Sequence, residues 1–122
     1  MTNAAEEFVN LVSRTGSISN IKAAIIYKEL YYGDDIETAV LDVGYSAKEY
    51  TEFMEDLAQI DYNSGFGSQE LFGIIWFKDG TWATRGEYDG SEWWEHHKCP
   101  DIEEHFRIFE NRHGEPKDPS YE

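Results

Sequence analysis

Apolar residues along the chain recur at two spacings, one typical of helices and one typical of strands. Near the start, the helical spacing predicts an amphipathic helix over residues 3–14. The same spacing predicts a second helix over 47–58, after a capping box formed by Ser46 and Glu49. The apolar stripes are Phe8, Leu11 and Val12 in the first helix and Tyr50, Phe53, Met54 and Leu57 in the second. The outward acidic residues of the second helix are typical of a solvated surface: Glu52, Glu55 and Asp56.

A third amphipathic segment precedes the C-terminal tail. Ile102, Phe106 and Phe109 share one side of a helix predicted over residues 101–111, and we expect this side to be a core face. Acidic residues at its start suit the positive end of the helix dipole. The tail at 113–122 contains two of the three prolines, and we expect it to be disordered.

Two segments between the first two helices have the composition of strands. Residues 20–32 fit a helix or a strand, and their isoleucines and tyrosines favour a strand. Residues 36–44 alternate between apolar and polar positions, which predicts a strand antiparallel to the first. Gly33, Asp34 and Asp35 lie between them as a turn.

The stretch from Asp61 to Pro100 contains all four tryptophans and two Asp-Gly pairs. Asp-Gly between apolar runs is typical of a two-residue hairpin turn, because a type I′ turn needs positive φ at both central residues. The pairs Asp79-Gly80 and Asp89-Gly90 therefore predict a three-stranded meander. Its predicted strands are residues 70–78, 81–88 and 91–97.

Two-residue turns fix the register of this meander. They pair Phe77 with Trp82 and Arg85 with Trp94, and side chains then alternate between two faces. The predicted core face has no charge and carries Leu71, Ile75, Phe77, Trp82, Tyr88 and Trp93, with Trp93 covering the bare backbone of Gly86 and Gly73. The other face is amphipathic and carries Phe72, Ile74, Trp76, Arg85, Glu87, Glu92 and Trp94. A one-residue bulge at either turn would exchange the faces.

The amphipathic face contains a charged cluster. Glu87 lies directly opposite Glu92, an unfavourable arrangement that the neighbouring Arg85 can offset. Trp94 lies beside Arg85 and can stack on its guanidinium group. Two interpretations follow: a structural cluster, or a recognition surface.

Together these elements predict an α+β fold, with a mostly antiparallel sheet of about five strands and two or three helices packed on one face. We expect one domain over residues 1–112, since a chain of 122 residues is long enough for a single core. The sequence leaves open the order of the first two strands relative to the meander.

The chain has 25 acidic and 10 basic residues and a formal net charge of −15. A surface this negative repels nucleic acid and anionic membranes and attracts basic protein surfaces. We find no apolar run that could span a bilayer and expect no signal peptide. The single cysteine, Cys99, excludes an internal disulfide and favours a reducing compartment, so we expect a cytoplasmic protein. Aromatic residues on both sheet faces leave homodimerisation open.

Few residues suit catalysis or metal binding. His96, His97, Cys99 and His105 lie close together, but the paired spacings of zinc sites are absent. Cys99 precedes a proline, and no oxyanion hole is recognisable around it. The Gly65–Gly67 loop lacks the nucleotide-binding patterns. We therefore expect no enzyme activity, no metal and no cofactor.

The run GFGSQELFGIIWFKDGTWATRGEYDGSEWWEHHKCP resembles a motif of small acidic proteins of unassigned function in tailed bacteriophages and related mobile elements. The resemblance extends back through the strand near Ile36 and the helix at 50–57. Its tryptophans and Asp-Gly turns make the motif specific. The resemblance implies a virus-encoded protein that acts in a host bacterial cytoplasm.

Charge and this implied context favour an inhibitor of a host defence protein, of the anti-CRISPR or anti-restriction type. Carboxylates on a rigid surface would take the place of nucleic-acid phosphates on a basic host protein. Tryptophan and arginine are frequent interface hot spots. The predicted contact residues are Asp34, Asp35, Arg85, Glu87, Asp89, Glu92 and Trp94.

The alternative is a small-molecule binding module that sequesters a nucleotide signal. Its site would combine Arg85, Trp94 and Trp76 with the Gly65–Gly67 loop, because arginine beside a stacking aromatic side chain suits a nucleotide. The surrounding carboxylates oppose this function, since they repel phosphates.

Overall fold

A computed structural model describes residues 1–16, 18–29, 36–63 and 68–113 of the chain. Within these residues there are three α-helices: Ala4–Thr15 (α1), Ala47–Ala58 (α2) and Ile102–His113 (α3). A short 3-10 turn covers Ile18–Asn20. The strands are Thr2–Asn3 (β1), Ile21–Lys28 (β2), Glu37–Leu41 (β3), Asp61–Tyr62 (β4), Leu71–Phe77 (β5), Trp82–Tyr88 (β6) and Ser91–His97 (β7). The predicted α+β class is confirmed, and no described helix is long and apolar enough to cross a bilayer.

Five strands form one antiparallel sheet in the order β3-β2-β5-β6-β7. Strand β2 pairs with β3 on one side and with β5 on the other, which supplies the strand order that the sequence left open. The connection from the edge strand β3 to the central strand β5 includes α2 and β4. Strand β4 pairs with β1 in a separate two-stranded ladder.

Helices α1 and α2 begin where the sequence predicts because side chains satisfy their first backbone N–H groups. The side chain of Asn3 accepts hydrogen bonds from the first turn of α1. Ser46 and Glu49 form the predicted capping box at the start of α2. The two helices meet at Phe8 and Phe53, whose ring centroids are 5.4 Å apart.

The core lies between these two helices and one face of the sheet, which we call the inner face. The helices contribute Phe8, Leu11, Val12, Phe53 and Leu57. The sheet contributes Ile21, Ala24, Ile26, Ala39, Leu41, Leu71, Ile75, Phe77, Ala83 and Trp94. Burial of each large apolar side chain stabilises the fold by about 1.5–3 kcal/mol.

The first hairpin of the meander differs from the prediction by one residue. Phe77 N donates to Thr81 O at 2.9 Å, so residues 78–80 form a three-residue loop. Gly80 has a φ of 89°, whereas Asp79 does not have positive φ. This is a type I turn followed by a left-handed residue, an alternative to the two-residue turn. The predicted pairing of Phe77 with Trp82 is therefore wrong.

The second hairpin is confirmed. Asp89 has a φ of 52° and Gly90 a φ of 87°, as a type I′ turn requires. Strand β6 pairs with β7 in the predicted register, with Arg85 opposite Trp94 and Glu87 opposite Glu92. Only the register between β5 and β6 differs, and this exchanges the faces of β6 and β7 relative to β5.

The exchange of faces places charged residues in the core and aromatic residues outside it. Arg85, Glu92 and Trp94 lie on the inner face, beside Ile75 and Phe77. The predicted core residues Trp82, Tyr88 and Trp93 lie on the opposite face, which we call the outer face. The outer face carries Ala23, Ile25, Tyr27, Thr38, Val40, Phe72, Ile74, Trp76, Trp82, Thr84, Tyr88, Trp93, Glu95 and His97.

Two glycines of the meander have different neighbours. A Cβ on Gly86 would lie 2.6 Å from Trp93 Nε1, so Trp93 covers Gly86 as predicted. A Cβ on Gly73 would instead lie 2.3 Å from the backbone oxygen of Ile25 on β2. The backbone of a neighbouring strand, rather than Trp93, therefore approaches Gly73.

Helix α3 forms as predicted, but it does not pack into the core as predicted. Asp101 caps it, since Asp101 Oδ1 accepts a hydrogen bond from Glu104 N at 2.8 Å. The predicted core residues Ile102, Phe106 and Phe109 are all exposed. The predicted tail at 113–122 lies outside the described residues, apart from the residue with which α3 ends.

Candidate functional site

The charged cluster predicted from the sequence lies inside the protein. The side chain of Arg85 is 2% exposed and that of Glu92 is 0% exposed. Trp94 is 5% exposed. Strands β6 and β7 place all three on the inner face, close to α1.

The guanidinium group of Arg85 lies between two aromatic rings. Its Cζ atom is 4.9 Å from the ring centroid of Trp94 and 5.3 Å from that of Tyr62. Its N–H groups donate to Glu7 at 3.0 Å, to Glu92 at 3.3 Å and to the Tyr62 hydroxyl at 2.9 Å. Two carboxylates and two rings thus compensate the buried cation and link α1, β4, β6 and β7.

Glu92 also holds the start of β5. Its carboxylate accepts the backbone N–H of Glu70 at 2.8 Å and that of Leu71 at 3.0 Å. A buried carboxylate is costly unless hydrogen bonds and a cation compensate its charge, and Glu92 has both. Because Glu70 and Leu71 are distant in sequence from β7, Glu92 fixes the chain where it enters the central part of the sheet.

These contacts support the structural interpretation of the cluster. Arg85, Glu92 and Trp94 were predicted as contact residues of a binding surface, and their burial excludes that role in the folded protein. The nucleotide site is not assembled either, since Trp76 lies on the outer face and Arg85 on the inner face. The Gly65–Gly67 loop lies outside the described residues.

Of the other predicted contact residues, two are exposed and two lie outside the described residues. Glu87 and Asp89 are exposed at the turn between β6 and β7. Glu87 accepts a hydrogen bond from Gly90 N at 3.0 Å, which supports the turn. Asp34 and Asp35 lie outside the described residues.

The histidines and the cysteine do not converge. His96 contacts Phe77 and His97 stacks on Trp82, so the two neighbouring rings lie on opposite faces of the sheet. Cys99 is a free, exposed thiol. In the part of the chain that the structure describes, no group of three or more His, Cys, Asp or Glu residues could hold a metal ion.

An acidic row on α2 is the first candidate surface. It consists of Glu49, Glu52, Glu55 and Asp56, all exposed. Across the described ranges, none of the four has a lysine or arginine within ion-pair distance. The sequence pattern predicts only solvation for the outward acids of this helix, because it does not show whether a cation elsewhere in the fold pairs with them.

The outer face of the sheet is the second candidate surface. Two open grooves lie on it, with volumes of about 500 and 470 Å³, and Ile25 borders both. The first is lined by Lys22, Ala23, Ile25, Val40, Leu41, Asp42, Val43 and Trp76. The lining of the second includes Ile25, Tyr27, Gln69, Phe72, Gly73, Ile74 and Thr84. Both grooves are mainly apolar.

The buried hydroxyl of Tyr62 predicts a dependence of stability on pH. Burial and the hydrogen bond to Glu7 raise the pKa of Tyr62 from 10.0 to about 12. The folded protein therefore favours the protonated hydroxyl, and the free energy of unfolding should fall as pH rises from about 10 to about 12. Below that window Tyr62 should contribute no pH dependence. Tyr62→Phe should flatten this decline.

Urea unfolding of both proteins across the alkaline pH range measures this effect. Tyr88→Phe serves as the control, because Tyr88 is 76% exposed and should leave the wild-type slope unchanged. Equal slopes for wild type and Tyr62→Phe would contradict the assignment of the proton to Tyr62.

Comparisons with known proteins place the chain in no family. No family model matches it, and no curated protein or solved structure matches it at a significant level. The geometry and charge of the two candidate surfaces are therefore the basis for a functional proposal.

Proposed function

We propose that the protein is a non-enzymatic inhibitor that binds a basic, nucleic-acid-handling host protein, in the manner of phage inhibitors of host defence. The observation that carries this proposal is the acidic row of α2, which has no internal counter-ions among the described residues. Glu87 and Asp89 add a separate pair of exposed carboxylates at the β6–β7 turn, at the opposite edge of the sheet from β3, which α2 contacts.

Among the described residues, Arg85 and Lys28 form ion pairs within the protein. Arg85 pairs with Glu7 and Glu92, and Lys28 lies 4.0 Å from Glu70. With a formal net charge of −15, most exposed carboxylates repel one another. A basic partner surface relieves this repulsion, and the field of the protein speeds its association at low salt.

The row presents a line of regularly spaced negative charges. Residues three and four apart on a helix are separated by about 4.5 and 6 Å along its axis. This spacing is wider than the distance of about 3.4 Å between successive phosphates of one DNA strand along the duplex axis, so the proposed mimicry is one of charge and not of phosphate spacing. Helix α2 is capped at Ser46 and anchored in the core by Phe53 and Leu57, so it holds these charges on a rigid support.

The same charge argues against other partners. Direct binding to nucleic acid or to an anionic membrane would bring like charges together. Arg85, the cation of the nucleotide-binding alternative, is buried and already paired. The proposed place of action is the host bacterial cytoplasm, a reducing compartment that suits the free thiol of Cys99.

Neutralising the acidic row should weaken partner binding by about 10- to 100-fold at low salt, from roughly 0.5–1 kcal/mol for each of three exposed ion pairs. The variant is Glu52→Gln, Glu55→Gln and Asp56→Asn, which spares the capping residue Glu49. The partner is first captured from host lysate with the tagged protein at low and high salt. Its affinity for the wild-type protein and the variant is then measured with purified components.

A second triple variant on α3 is the matched control: Glu103→Gln, Glu104→Gln and Glu110→Gln. It changes the net charge equally, so its affinity should stay close to wild type if the α2 row is the contact surface. Equal losses in both variants would assign the effect to net charge alone. Binding that is unchanged between low and high salt would exclude mimicry.

A further inference from the structure

Strand β3 lies at an edge of the sheet, and no strand in the described ranges pairs with its outer side. It ends the strand order β3-β2-β5-β6-β7, so β2 is its neighbour on one side only. We propose that an extended, basic segment of the partner protein adds to β3 as a further strand of the sheet. This inference rests on the proposed function and deepens it, because it names the part of the basic partner that the protein holds.

The register of the sheet shows which backbone groups of β3 point outward. Directly after β2, Glu29 N donates to Glu70 O at 3.0 Å, so every second residue back from Glu29 bonds to β5. The groups of successive residues point to opposite sides of a strand, so the residues between them bond to β3, and one of these faces Ala39. The N–H and C=O groups of Thr38 and Val40 therefore point away from the sheet.

An incoming chain can reach these groups. Val40 is 54% exposed, and Thr38 is exposed as well. At the other edge of the sheet, the residues of β7 whose backbone groups point outward include Glu92 and Trp94, which are only 6% and 5% exposed. Strand β3 is therefore the more accessible edge. An accessible row of N–H and C=O groups binds an extended chain through main-chain hydrogen bonds.

Charge favours a basic segment over a second copy of this chain. Glu37 begins β3 and Asp42 follows it, and both are exposed. A second copy would bring a formal net charge of −15 to this edge, and repulsion opposes that pairing. Helix α2 packs on β3 from the inner face, so the inner-facing side chains of an added strand would lie next to this acidic helix. Lysine or arginine suits these positions.

The outer-facing side chains of the added strand should be apolar. They would lie beside Val40, which also borders the first groove, of about 500 Å³, together with Ile25 and Trp76. Lys22 and Asp42 both border this groove, so their charges balance and do not select a charged side chain. Successive side chains of a strand point to opposite faces. The edge therefore fits a segment in which apolar and basic residues alternate.

A synthetic peptide of alternating valine and lysine, about seven residues long, tests the edge directly. Fluorescence anisotropy of the labelled peptide with the full chain measures its affinity at low salt. A peptide of alternating valine and glutamate keeps the strand pattern and should bind at least about tenfold more weakly, because the protein repels it. Equal affinities, or no binding of the lysine peptide, would overturn the proposal.

N-methylated peptides separate strand addition from attraction between charges alone. In the added strand the valines would face Thr38 and Val40, with their N–H groups directed at β3, and the lysine N–H groups would point to solvent. Methyl groups on the valine nitrogens remove the hydrogen bonds to β3, so affinity should fall by about tenfold or more. Methyl groups on the lysine nitrogens should leave the affinity close to that of the unmodified peptide. Equal losses in the two peptides would exclude strand addition.

Substitutions at Thr38 extend the test to the captured partner. Thr38→Pro removes an outward N–H and breaks no hydrogen bond to β2, and edge strands tolerate proline at such positions. It should weaken binding of the lysine peptide and of the purified partner by about tenfold. Thr38→Ala keeps the N–H and should bind both as wild type does. Circular dichroism checks the fold, and the N-methylated peptides decide the question on the wild-type protein if Thr38→Pro does not fold.

The edge and the proposed function can fail separately. A partner that binds Thr38→Pro as tightly as wild type, but binds the triple variant on α2 more weakly, overturns strand addition and leaves the proposed function intact. A protein that binds the lysine peptide at β3 but captures no basic partner keeps the edge site and loses the proposed function.

Discussion

Replacing Arg85 with methionine should lower the free energy of unfolding by about 3–5 kcal/mol, because it leaves a buried carboxylate without its cation. Glu92 is fully buried, and its hydrogen bonds to the backbone of Glu70 and Leu71 hold it in place. The carboxylate therefore cannot turn out to water when the guanidinium group is lost. Methionine keeps an unbranched side chain next to Trp94, which limits the loss of packing.

Urea unfolding of three variants separates the charge from other effects of the substitution. Arg14→Met on the exposed end of α1 removes a surface cation and should cost less than about 1 kcal/mol. Arg85→Lys keeps the charge but loses the forked contacts, so an intermediate loss is expected. Adding Glu92→Gln to Arg85→Met should recover part of the stability, since contacting residues couple by about 0.5–3 kcal/mol. A loss below about 1 kcal/mol for Arg85→Met would show that buried Glu92 is tolerated without the positive charge of Arg85.

Helices, strands and the second turn were predictable because their signals are local. The caps at Asn3 and Ser46 lie next to the helices that they begin. The apolar spacing of each helix and the composition of each strand are read within one segment. The turn at Asp89-Gly90 adopts the conformation that its dipeptide favours.

The turn at Asp79-Gly80 has the same dipeptide but a different conformation. In this conformation a distant segment of the chain contacts the turn. Lys78 N donates to Asn20 O at 2.6 Å, and Asn20 Nδ2 donates to Asp79 at 3.3 Å. Asp79 Oδ1 also accepts the backbone N–H of Thr81 at 2.9 Å. The dipeptide alone therefore does not determine the loop length, and a one-residue difference moves a whole set of side chains to the other face.

The predicted core face is wrong for a related reason. The absence of charge favours one face as the core, because a buried charge is costly unless it is compensated. The compensation for Arg85 comes from Glu7, 78 residues away in sequence, and from Tyr62. No pattern within the meander reveals these partners. The spacing in α3 likewise identifies an apolar stripe but not the surface that covers it.

Gly73→Ala should be the most destabilising single methyl addition in the sheet. A Cβ at this position would lie 2.3 Å from Ile25 O and 2.9 Å from Ile26 Cα. Both atoms belong to the backbone of β2, which pairs with β5 in the centre of the sheet. Neither can move without separating the two strands. Gly73 also has a φ of 151°, which side chains rarely adopt. We expect a loss of about 4–5 kcal/mol, at the upper end for point substitutions.

Gly80→Ala isolates the contribution of the backbone conformation. Gly80 has a φ of 89°, and a Cβ there would meet no atom within 4 Å. This control should therefore lose only about 1–2 kcal/mol, the cost of a left-handed residue. Urea unfolding of both variants compares a positive φ in open space, at Gly80, with a positive φ combined with a clash against β2, at Gly73. Similar losses would mean that β2 yields to the new methyl group, and strands that yield could not form a fixed floor for the outer-face grooves. A large difference would show that Gly73 is required for the close approach of β2 and β5, on which the shape of both grooves depends.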